Sequence, residues 1–129
     1  MKPDLVFVYG TLKRGHGNHR VMQRAAGEFI GEAITVERFP LVVDGLPYLL
    51  DSSGEGHHVI GELYRVSDDA GWSYLDRLEG HPTFYRRRVI SCEVDGVVMD
   101  AWVYFLQAPD RRLRELEAVR EYTDRMVYA

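Results

Sequence analysis

The dipeptide Asp95-Gly96 does most to narrow what this chain can become. It separates two runs, residues 85–94 and 97–106, both rich in β-branched and aromatic residues. A two-residue loop that tolerates left-handed backbone joins antiparallel strands and sets their register. That register pairs Val94 with Val97, Cys92 with Met99 and Ile90 with Ala101, which makes one dry face. The other face pairs Val89 with Trp102, Arg87 with Tyr104 and Tyr85 with Leu106. Tyr85 and Tyr104 are then diagonal neighbours on a single face.

Further short strands precede this hairpin. Leu5 to Val8 is a continuous apolar run, the pattern of a strand buried on both faces. Residues 29–36, 39–43 and 59–66 read as strands, and 48–50 as a short edge strand after the Pro47 break. Asn18 is placed to cap a short helix over 19–25. Ser67 is a good N-cap for a second helix, with Asp68 and Asp69 in its first turn. Trp72, Leu75 and Leu78 share one face of it. It ends near Glu79-Gly80, because Gly80 accepts the left-handed cap and Pro82 forbids continuation. Residues 110–124 read as a last helix with Leu113, Leu116 and Val119 inward.

These elements suit one domain over residues 1–129. With 46% hydrophobic residues, the chain can build a core without disulfides. Cys92 is the only cysteine, so an intramolecular disulfide is excluded and a reducing cytoplasm fits. The start of the chain does not read as a signal peptide, and no stretch is long enough to span a bilayer. The formal charge of −4 offers no field for nucleic acid or an anionic membrane. Arg86, Arg87 and Arg88 alternate faces on a strand and make no patch. We expect a cytoplasmic protein, a monomer or weak dimer, with no nucleic-acid or membrane partner.

Familiar catalytic signatures are missing. The chain has no GxSxG elbow, no GxxxxGK[ST] loop and no GxGxxG turn. His16 and His19, and His57 and His58, lack a third ligand, so they read as loop histidines and no metal site is expected. Cys92 reads as core filler, since no base is placed to activate it. What remains is the glycine-bearing loop from Tyr9 to Gly15, with Glu79, Tyr85 and Tyr104. Each has a plain structural reading as turn, surface acid or strand residue. Glu79 differs in one respect: it sits where the helix dipole disfavours negative charge, which raises a carboxyl pKa toward that of a proton carrier.

Val8-Tyr9-Gly10-Thr11-Leu12-Lys13-Arg14-Gly15, followed by Asn18-His19, resembles the opening motif of the gamma-glutamylcyclotransferase-like superfamily. Leu75-Asp76-Arg77-Leu78-Glu79-Gly80-His81-Pro82-Thr83-Phe84-Tyr85-Arg86-Arg87 resembles its second motif. Pro40-Leu41-Val42, Pro47-Tyr48-Leu49 and Gly61-Glu62-Leu63-Tyr64 fall between them in the expected order. Within the superfamily the likeness is closest to the gamma-glutamylaminecyclotransferase and AIG2-like branch. The resemblance implies an α+β fold, a small mixed β-barrel with flanking helices. It also implies ring closure of a small gamma-glutamyl substrate to 5-oxoproline, with no metal or cofactor. By the same resemblance Glu79 maps onto the catalytic acid. Tyr9, Gly10, Thr11 and Leu12 map onto the loop that cradles the gamma-glutamyl group. Tyr85 and Tyr104 map onto the strand tyrosines of the pocket. A non-catalytic module holding a small carboxylate on the same scaffold stays open, although an internal anion would not serve it.

Overall fold

The computed structural model describes residues 3–123. Ten elements follow in chain order. They are β1 Leu5–Val8, α1 His19–Arg24, β2 Glu28–Phe39, β3 Leu41–Asp44 and β4 Leu46–Leu49, then β5 His57–Arg65, α2 Asp69–Glu79, β6 Tyr85–Val94, β7 Val97–Leu106 and α3 Arg111–Glu115.

The β6–β7 hairpin has the register that its turn dictates. Val94 pairs with Val97, Ile90 with Ala101, Arg87 with Tyr104 and Tyr85 with Leu106. Asp95 at φ 49° and Gly96 at φ 81° are both left-handed, as the mirror-image turn requires. Cys92, Ile90, Val94 and Ala101 on the dry face are buried, while Val97 at the tip is exposed.

Five strands close into a barrel in the order β1-β5-β2-β6-β7. All neighbours are antiparallel except β1 and β7, which close the barrel in parallel. This is the mixed barrel that the resemblance implies. Outside it, β3 and β4 pair as a two-stranded sheet. Both faces of β1 are buried, each in a different cluster. Leu5 and Phe7 join Ala33, Val59, Leu63, Cys92, Val103 and Phe105, drawn from all five strands, which fill the barrel. Val6 and Val8 join Val21 and Met22 of α1 and Leu75 of α2, where helices cover it. Burying a strand on both sides draws its end into the core, and the Tyr9–Leu12 turn goes with it.

Some expectations need correction. Asp68, not Ser67, caps α2, its Oδ1 accepting from the Gly71 N–H at 2.7 Å. An aspartate one position later reaches the same free amides, and the second acid, Asp69, remains in the first turn. Asn18 precedes α1 but makes no side-chain cap; its Nδ2 donates to Thr11 Oγ1 at 3.0 Å. Leu78 points outward and is 47% exposed, unlike Leu75. The last helix is short: Leu116 turns extended at ψ 146°, and Val119 pairs with Leu41 at the edge of β3. That edge supplies backbone hydrogen bonds that a continued helix would forgo. The end of the expected helix, residue 124, lies outside the described residues. His57 and His58 lie on β5, not in a loop. Among the described residues, no helix is long and apolar enough to cross a membrane.

Candidate active site

Where β1 ends, the chain turns across the mouth of a cavity of about 260 Å³. Tyr9, Gly10, Thr11 and Leu12 line it together with Glu79, Tyr85 and Tyr104. All seven residues singled out from the sequence therefore meet in one place. The cavity is completed by Asn18, Leu46, Pro47, Tyr48, Leu78 and Phe84, among others. Nothing in the sequence gave those a place in the site: Asn18 read as a helix cap, Leu78 as part of an apolar helix face and Pro47-Tyr48 as part of the resemblance. The β4 residues 46–48 and the exposed Leu78 and Phe84 are signals only once they are seen to share the cavity with Glu79.

The loop is braced through its carbonyls. The Lys13 N–H donates to the Gly10 oxygen at 3.1 Å, and the Asn18 N–H to the Thr11 oxygen at 2.9 Å. The His19 ring donates to the Leu12 oxygen at 3.0 Å. Below it, Glu62 accepts from the Arg14 amide at 2.8 Å. Among the described residues, no acceptor takes the N–H groups of Gly10, Thr11 or Leu12. Successive amides without acceptors at a cavity wall suit an anion. Gly10 has a nearer structural reason than ligand approach. A Cβ there would stand 2.6 Å from the Pro47 ring, so the glycine lets β4 close over the turn.

Glu79 is the last residue of α2, and Gly80 follows at φ 65° in the left-handed cap that ends the helix. Its carboxyl is partly buried, and burial lifts its pKa from 4.5 to about 7. Loss of water is the cause, not the helix end on which the sequence argument rested. Among the described residues, no hydrogen bond or ion pair opposes the shift. Near neutral pH the group is thus divided between acid and anion.

The three phenols around it stay protonated. Burial raises all three, and the Glu79 charge adds to each. Tyr104 is raised further by its bond to Asp76. The Tyr9 hydroxyl donates to the Tyr104 carbonyl at 2.6 Å, and the Tyr104 hydroxyl to Asp76 Oδ1 at 2.7 Å. Both protons are committed, so neither hydroxyl serves an oxyanion without breaking its bond. The Tyr85 hydroxyl reaches the Pro47 carbonyl only at 3.4 Å and is the loosely held one.

Cys92 is fully buried inside the barrel, and burial pushes its thiol up to about 11, away from nucleophile chemistry. Among the described residues, no group of three histidine, cysteine or acidic side chains could hold a metal ion.

Residues 6–124 match the family model described as gamma-glutamyl cyclotransferase, AIG2-like. The rat gamma-glutamylaminecyclotransferase is 45% identical over 95 residues, 69% of this chain and 63% of the rat protein. The bovine gamma-glutamylaminecyclotransferase is 42% identical over 107 residues, 77% of this chain and 63% of its own length. The match thus spans under two thirds of either mammalian relative. The crystal structure of a mouse AIG2-like protein superposes with a TM-score of 0.88 at 35% identity, covering 95% of this chain and 90% of that one. Family model, relatives and superposed fold agree, and the chain belongs to the gamma-glutamyl cyclotransferase, AIG2-like family.

Proposed function

We propose that this protein cyclises the gamma-glutamyl group of gamma-glutamyl amines to 5-oxoproline and releases the free amine. Glu79 moves the proton. The observation that carries this reading is a carboxyl poised at about pH 7 in the same cavity as three amides without acceptors. The names of the rat and bovine relatives support the choice of amine substrates.

The chemistry needs little else. The substrate's α-nitrogen attacks its own γ-carbonyl carbon, a C–N bond closes the five-membered ring, and the bond to the departing amine breaks. No enzyme nucleophile, metal or organic cofactor enters that balance. The α-amine has a pKa of roughly 8 in model compounds, so most of it must first lose a proton. Glu79 as carboxylate takes that proton, and Glu79 as acid returns it to the departing nitrogen. A group with a pKa near 7 performs both halves at neutral pH. The amides of Gly10, Thr11 and Leu12 hold the substrate's α-carboxylate. Tyr9, Tyr85 and Tyr104 wall the glutamyl chain into the folded shape that brings nitrogen to carbonyl.

The test is a turnover screen. A gamma-glutamyl-lysine isopeptide, a gamma-glutamyl polyamine and a gamma-glutamyl α-amino acid are each incubated with the protein. Mass spectrometry then follows 5-oxoproline and free amine. The reading expects both products in equal amounts from at least one amine substrate. Binding without turnover across the panel, or glutamate in place of 5-oxoproline, would overturn it.

A further inference from the structure

Arg87 of β6 is held by several contacts beside the cavity, yet it lies outside the lining. Its guanidinium grips Asp76 with two hydrogen bonds, Nε to Oδ1 at 2.8 Å and Nη2 to Oδ2 at 3.2 Å. Its backbone N–H donates to His81 Nδ1 at 3.2 Å. Asp76 lies three residues before Glu79, one helical turn away, and His81 lies two residues after it. One residue of β6 therefore holds the end of α2 from both sides of Glu79.

The grip is itself held. The guanidinium lies over Trp72 at 5.0 Å and over Trp102 at 4.4 Å from the ring centroids. Each indole is anchored, Trp72 Nε1 to the Val66 carbonyl at 2.8 Å and Trp102 Nε1 to the Pro3 carbonyl at 2.9 Å. Asp76 also accepts from the Tyr104 hydroxyl, and the Tyr104 carbonyl accepts from the Tyr9 hydroxyl. The same clamp thus reaches two cavity tyrosines. The Arg87 and Asp76 side chains are only 21% and 22% exposed, so the pair is not an ordinary solvated surface bridge.

We propose that Arg87 is a positioning residue, which fixes the Glu79 carboxyl through Asp76 and His81 and keeps the Asp76 charge neutralised beside it. This rests on the reading of Glu79 as proton carrier. The titratable groups that line the cavity with Glu79 are the phenols of Tyr9, Tyr48, Tyr85 and Tyr104, with Asp76 and His81 on either side of Glu79 along the chain. Among the described residues, no lysine, arginine or histidine lines the cavity. Arg87, acting through Asp76, is the nearby cation that this geometry ties to Glu79.

The test compares wild type, Arg87→Met, Arg87→Lys, and Asp76→Asn combined with Arg87→Met. Each is assayed well below its own melting temperature, with near-ultraviolet circular dichroism confirming the fold. Two readouts are taken. The first is kcat and KM for the gamma-glutamyl amine turned over fastest. The second needs no substrate: the titration of the Glu79 carboxyl followed by carbon NMR. Arg87→Met is expected to lower kcat about 100-fold while KM stays within about threefold, since misplacement by an ångström costs that much. Its Glu79 midpoint is expected to rise by at least about half a pH unit, because an unpaired Asp76 anion disfavours a second one nearby. In the double variant the midpoint returns toward wild type, whereas kcat stays low, since the charge is gone but so is the grip. Arg87→Lys does not restore kcat, having neither the fork nor the flat face.

A kcat unchanged in folded Arg87→Met overturns the proposal, as does a midpoint that does not move. Should Arg87→Met fail to fold, Arg87→Lys carries the same two readouts, and wild-type values in both sink the clamp. A wild type without turnover refutes the proposed reaction instead, and the titration alone then decides about Arg87.

Discussion

Replacing Glu79 with glutamine should stabilise the folded protein, by an amount that depends on pH. Burial lifts this carboxyl from 4.5 to about 7. The folded state therefore holds a proton that the unfolded state has lost between those two values. Stability contributed by the protonated group is fully present below pH 4.5 and is lost as pH rises to about 7. At roughly 1.4 kcal/mol per unit, that loss is about 3 kcal/mol in wild type. Glutamine keeps the size and polarity of the side chain and has no charge to desolvate. Its own cost of burial is constant with pH. The measurement is urea unfolding of both proteins at several pH values from 4.5 to about 8. Other titrating groups are common to both proteins and cancel in the difference, and the coupled phenols titrate far above this range. The stability of Glu79→Gln minus that of wild type should climb by about 3 kcal/mol up to pH 7 and then level. Parallel curves, with a difference flat in pH, would show that the carboxyl is solvated and would remove the physical basis of its role.

Other consequences follow from the same cavity and core. Gly10→Val should push Pro47 away and cost about 1–3 kcal/mol, the usual toll of overfilling a packed site. It should also raise KM more than it lowers kcat, and an unchanged melting temperature would show that β4 yields freely. Cys92 should resist iodoacetamide at about pH 8 in the folded protein and react fully in urea, because its thiol is buried and lifted to about 11. Rapid native alkylation, read by mass spectrometry, would contradict the barrel interior described above.

Several features of the site could be read from the chain because short-range rules governed them. Asp95-Gly96 permits one tight turn, and the pleat then assigns every side chain of β6 and β7 to a face. That is why Tyr85 and Tyr104 could be placed together before the barrel was known. Gly80 and Pro82 likewise set the end of α2 and so the position of Glu79. Features set by distant segments were not legible. Leu113, Leu116 and Val119 keep helical spacing, yet Val119 leaves it for the edge of β3, far away in sequence. The sequence pointed to no role of its own for Asp76, because its partners Arg87 and Tyr104 sit on strands that only the closed barrel brings alongside. The raised pKa of Glu79 was anticipated in direction but for the wrong reason. The sequence shows a helix end, whereas the burial comes from β1, β4, β6 and β7 converging on one cavity.

The most direct measurement is the rate of 5-oxoproline formation by wild type and by Glu79→Gln on one gamma-glutamyl amine, with both proteins shown to be folded. If Glu79 carries the proton, the variant loses on the order of 1,000-fold, the usual worth of a positioned acid–base group. A variant that still forms 5-oxoproline within about threefold of wild type would contradict the account, since so small a loss is far below what acid–base catalysis contributes.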